Sequence, residues 1–131
     1  MLSWRTVLAL VALSTGLGLA AIPGKAAEQL EQIPAAFHGI WMAEQRHCNA
    51  PSTDESWLRI DANGISFYES AGPALAVVAM GPEELGLITE LSGEGETWLE
   101  LLRLRLEAGG RLALESVGAE GAIRRVRCSG L

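Results

Sequence analysis

From Ile40 to Cys128 the chain is eight short apolar-rich runs divided by turn residues, and this punctuation constrains the fold more than any other feature. The runs are Ile40–Arg46, Trp57–Asp61, Ile65–Glu69, Ala74–Met80, Leu85–Leu91, Thr97–Glu107, Arg111–Ser116 and Ala122–Cys128. Ala62-Asn63-Gly64, Gly81-Pro82-Glu83-Glu84, Ser92-Gly93-Glu94-Gly95 and Ala108-Gly109-Gly110 separate them. Asn and Gly tolerate the positive φ that tight hairpins require. Strands joined this closely run antiparallel, because a parallel crossover needs a dozen or more residues. The pattern predicts an all-β meander.

The run Thr97–Glu107 is rich in helix formers, yet Leu102, Leu104 and Leu106 alternate with Arg103, Arg105 and Glu107. A two-residue period reads as a strand with one polar face. The adjacent Leu101 and Leu102 break that period and predict a bulge or bend.

Two cysteines, Cys48 and Cys128, allow one pairing. Closing a loop of roughly 80 residues is worth about 4 to 5 kcal/mol in the chain-entropy model. Cys48 follows the first run and Cys128 ends the last, and a disulfide needs Cα atoms within about 7 Å. First and last strands are neighbours in a closed barrel but opposite edges of an open sheet. The expected fold is an eight-stranded antiparallel up-and-down barrel, with a two-sheet β-sandwich as the alternative. Leu30, Ile33 and Phe37 are spaced for one or two helical turns, so a short N-terminal helical or irregular arm, lying across an open end of the domain, is expected over residues 27–33, stopped by Pro34.

Residues 1–26 read as a signal peptide: Met1-Leu2-Ser3-Trp4-Arg5, an apolar run from Thr6 to Ile22, then Gly24-Lys25-Ala26 at a small-x-small cleavage pattern. One domain, residues 27–131, is expected to remain, periplasmic or secreted and of bacterial type. The chain has 10 basic and 16 acidic groups; Arg5 and Lys25 lie in the leader, so residues 27–131 keep 8 basic and 16 acidic, a net of −8. Such a surface repels phosphate backbones and anionic lipid, which excludes nucleic-acid and membrane-surface partners.

Phe37-His38-Gly39-Ile40-Trp41 resembles the opening of calycin-type barrels such as lipocalins and avidins. The resemblance implies that Gly39-x-Trp41 begins the first strand and that an arginine of the last strand, Arg124, Arg125 or Arg127, packs over the tryptophan. A bacterial metalloprotease-inhibitor barrel is similar in outline, but its disulfide does not match a Cys48–Cys128 pairing.

No catalytic residue, metal site or cofactor is expected. His38 and His47 lie too far apart along the first run to share a metal. There is no H-E-x-x-H and no second cysteine pair for zinc. Glu69, beside Phe67 and Tyr68, is the one acid set among aromatics. The expected role is binding, by candidate ligand or barrel-end residues Trp41, Trp57, Phe67, Tyr68, Arg125 and Arg127. The ligand would be a small apolar molecule held between Trp41, Trp57 and Phe67. The alternative is a protein partner: inhibition of a hydrolase such as a protease or lysozyme, through the tethered polar loop Asn49–Glu55.

Overall fold

The computed structural model describes Gly18 and residues 26–130, so the expected signal peptide lies almost wholly outside the described residues. Among the described residues nine strands form: β1 (Glu28–Leu30), β2 (Gly39–Met42), β3 (Leu58–Ile60), β4 (Gly64–Phe67), β5 (Ala71–Gly81), β6 (Glu84–Gly93), β7 (Glu96–Glu107), β8 (Arg111–Ser116) and β9 (Ile123–Arg127). Strands β2 to β9 pair antiparallel in chain order, and β9 returns to β2 through Trp41 opposite Arg127 and Met42 opposite Val126. The result is a closed eight-stranded barrel, and the two-sheet sandwich is not formed.

The ninth strand corrects the expected helical arm. Residues Glu28–Leu30 pair with β5, Glu28 opposite Ala79 and Leu30 opposite Val77. The reason is a length mismatch. Strand β4 reaches only the first residues of β5, from Ala71 to Pro73. The rest of that edge offers unpaired backbone groups, and β1 satisfies three residues of it. One turn of 3-10 helix does form, later, at Ala35–Phe37.

The first run is also shorter than expected. Strand β2 stops at Met42, and two 3-10 turns follow, Gln45–Asn49 and Pro51–Thr53. The bulge expected at Leu101 and Leu102 is absent. Pairing of β6 with β7 runs unbroken from Glu84–Arg105 to Gly93–Glu96, with Leu102 inside and Leu101 outside. The register shifts lie in β5 instead, between Ala74 and Ala76 and between Ala79 and Gly81. Gly72 sits where a Cβ would meet the Glu90 carbonyl, so β5 and β6 approach at a distance only glycine permits.

Alternation sends one face of every barrel strand to the axis. Trp41, Leu58, Ile65, Leu87, Leu104 and Leu112 meet there with neighbours in one cluster, each 0–2% exposed. The buried Thr89 hydroxyl donates to the Glu100 carbonyl at 3.2 Å, so it carries no unmet polar cost. Side chains occupy the barrel axis. Met42, 0% exposed, and Cys128, 5% exposed, stand apart from that cluster, each next in sequence to a member of the Trp41–Arg127 pair. They face outward beneath the loop that leaves β2.

Candidate functional site

One end of the barrel is sealed. Phe37 and Ile33 are each 1% exposed across it. The Trp41 indole Nε1 donates to the Phe37 carbonyl at 3.0 Å, and Arg127 lies over the Trp41 ring, 4.4 Å from its centroid. The Arg127 guanidinium also donates to the Ala36 carbonyl. Gly39 adopts φ +130°, a conformation that suits glycine where the chain turns from the plug into β2. His38 Nε2 lies 2.6 Å from the Ile33 carbonyl oxygen, which occupies it structurally. Trp41 and Arg127 are therefore brought together, and Arg127 is the arginine of the last strand that covers the tryptophan.

The disulfide Cys48–Cys128 joins the turn after β2 to the residue after β9, with Cα atoms 5.5 Å apart and a sequence separation of 80. It is compatible with an oxidising, extracellular environment. Among the described residues no helix is long and apolar enough to cross a membrane.

The loop from Ala43 to Trp57 is pinned at a second point. Asp54 accepts from the Ser56 hydroxyl and from the Ser56 backbone N–H, the latter at 2.8 Å. Ser56 Oγ in turn accepts from the Ala43 N–H at 3.0 Å, and the Ser56 carbonyl accepts from Arg125 Nε at 2.9 Å. His47 Nδ1 stands 3.6 Å from the second Asp54 oxygen, beyond hydrogen-bond length. The serine touches the acid and not the imidazole, so the serine–histidine contact of a nucleophilic triad is not formed here. The arrangement holds the loop shut. Arg125, a candidate binding residue, is thereby committed to this network, and burial lowers its pKa.

The Ser56 hydroxyl, then its N–H, then the His47 and Arg125 charges hold the Asp54 carboxyl below its ordinary 3.8. A depressed carboxyl pKa contributes stability above the unfolded value and loses it as pH falls through the folded one. The Ser56 amide, followed by NMR, should titrate with a midpoint below 3.8, and the signal should vanish in Asp54→Asn. A midpoint at or above 3.8 would contradict the pinned carboxylate.

The opposite end of the barrel is open and acidic. A cleft of about 390 Å³ is lined by Glu55, Phe67, Tyr68, Glu69 and Ser70. Its neighbour, about 410 Å³, is lined by Glu69, Ser70, Gly93, Glu94, Glu96 and Trp98. The shared residues make one rim of four carboxylates and three aromatic rings. Local chemistry builds it. Glu94 and Gly95 both take positive φ, +51° and +80°, in the two-residue hairpin between β6 and β7. A Cβ at Gly93 would strike the Glu69 carbonyl, so this hairpin presses backbone to backbone on the Tyr68–Ser70 turn. Among the described residues no cation lies within ion-pair distance of Glu55, Glu69, Glu94 or Glu96.

The structure thus separates the residues expected to share a ligand. Trp41 is 1% exposed inside the barrel, and neither it nor Trp57 lines a cleft described here. Trp57 sits at the loop's root, its N–H donating to the Asp54 carbonyl at 3.0 Å. Phe67 and Tyr68 belong to the acidic rim.

A groove of about 550 Å³ on the outside of β5, β6 and β7 went unrecognised in the sequence. Ala76, Val78, Met80, Ile88, Leu101 and Val117 line it. The signal was present: Leu99 and Leu101 fall on the face that Arg103 and Arg105 mark as outer.

These features define a closed antiparallel barrel whose axis is occupied and whose clefts lie at its rim and outer wall. Comparison with protein-family models, curated proteins and solved structures gave no match.

Proposed function

We propose that the chain is an exported, non-catalytic binding module of calycin-like build that takes its partner on its rim and outer wall, not inside the barrel. The observation that carries this reading is the occupied axis, where Trp41, Leu58, Leu87 and Leu104 fill the space a small apolar ligand would need. The rim offers the chemistry for a cationic group: Glu69, Glu94 and Glu96 supply charge, and Trp98, 37% exposed, supplies an aromatic face.

An oligolysine peptide should shift the fluorescence of the chain through Trp98. The shift should disappear in Trp98→Phe and in the combined Glu69→Gln, Glu94→Gln, Glu96→Gln variant. A shift that survives both variants defeats the rim as the site. Export is tested separately, by the mass of the protein recovered from a bacterial periplasm, which should begin near Ala27.

A second reading, inhibition of a protease or lysozyme, is favoured by the loop over residues 49–55. The disulfide and the Asp54 network hold that loop rigid, as a surface that must survive contact with a hydrolase would require.

A further inference from the structure

We propose that the outer wall of β5, β6 and β7 docks a basic, amphipathic segment of a partner protein. This rests on reading the chain as a binding module, and it names a second contact and the partner's chemistry.

Isolated exposed apolar residues are ordinary, but a contiguous group on one wall is not. Ala76 is paired with Ile88, and Ile88 with Leu101, so one apolar row crosses three strands. Directly opposed side chains in a sheet lie roughly 5 Å apart at Cβ, which leaves no polar gap in the row. The Val117 N–H bonds the Leu101 carbonyl at 2.9 Å and extends the row by one more residue. Ile88, Leu101 and Val117 are 39%, 48% and 70% exposed. Among the described residues Arg103 is the one charged residue lining the groove, and Glu84 already holds its guanidinium.

Charge selects the occupant. Residues 27–131 carry a net of −8. The two arginines of β7 that face outward are engaged, Arg103 with Glu84 and Arg105 with Glu115. Strand register then leads from the groove to one unpaired acid. Glu90 follows Ile88 on the outward face, exposed opposite Leu99, and has no ion-pair partner among the described residues. An apolar floor bordered by Glu90, on a chain of strong net negative charge, complements a segment with apolar side chains on one face and cations on the other. A second copy of this chain brings the same excess of negative charge, and anionic lipid is repelled likewise.

The test uses the oxidised chain and a synthetic helical peptide with leucine on one face and lysine on the other. The double variant Ile88→Glu, Leu101→Glu removes the apolar row while adding negative charge. Docking on the row predicts binding weaker by roughly tenfold or more. Purely electrostatic attraction predicts equal or tighter binding, and that result overturns the proposal. Val117→Glu, at the most exposed position, repeats the test should the double variant fold poorly. A peptide with glutamate in place of lysine should not bind. Sedimentation showing a dimer that the double variant disperses, or binding to phosphatidylcholine vesicles that it abolishes, would overturn the proposal for a second copy or for lipid. The rim variant discriminates between the two readings. If oligolysine binding fails while the leucine–lysine peptide still requires Ile88 and Leu101, the rim reading falls and the docking wall stands.

Discussion

The chain with Cys48→Ser and Cys128→Ser together should lose about 4 to 5 kcal/mol of stability, the loop-closure entropy of the 80-residue separation. That equals most of what holds a small domain together, so the variant should be largely unfolded near physiological temperature. Two effects combine. The cross-link restricts the unfolded chain across nearly the whole barrel, and it holds the Ala43–Trp57 loop over the outward face of Met42, which is fully buried. Urea unfolding of oxidised, reduced and double-serine protein measures the difference. Reduced and double-serine forms should agree. A loss below about 1 kcal/mol would mean that the barrel's closure owes little to the bridge.

Trp41→Ala should cost about 3 to 5 kcal/mol, the range for deleting a large buried aromatic side chain. Trp41 is 1% exposed, bonded through Nε1 to Phe37, and roofed by Arg127. Its removal leaves a void in the interior cluster, an unpaired Phe37 carbonyl and a cation without its aromatic face. Trp41→Phe keeps most of the packing and loses the hydrogen bond, worth about 0.5 to 1.5 kcal/mol. Thermal unfolding should rank wild type above Trp41→Phe and Trp41→Phe above Trp41→Ala. Equal melting points for the two variants would show that packing at this end contributes nothing beyond the indole's bond.

How far this structure was legible varies with the range of the interaction. The run Thr97–Glu107 formed a strand, β7, despite its helix-forming composition, because period-two burial of Leu102 and Leu104 outweighs single-residue propensity. The same run hid the docking wall. Leu101 beside Leu102 looked like an irregularity, when it was a regular outward residue with apolar neighbours on β5 and β6. The candidate ligand and barrel-end residues fell into three places, which parts the expected Trp41–Trp57–Phe67 site: Trp41 and Arg127 at the sealed end, Trp57 and Arg125 in the loop network, and Phe67 and Tyr68 on the rim.

Residue order and side-chain type alone sufficed for eight antiparallel strands, their turns, the sole possible cysteine pairing and the acidic balance, because each depends on neighbours a few positions away or on simple counting. Three-dimensional packing was needed to choose Arg127 among three arginines, to place Glu28–Leu30 on the free edge of β5, to close the axis, and to gather Glu55, Glu69, Glu94 and Glu96 at one mouth. Those outcomes depend on strand length, tilt and register across distant parts of the chain, and no local pattern of residues encodes them.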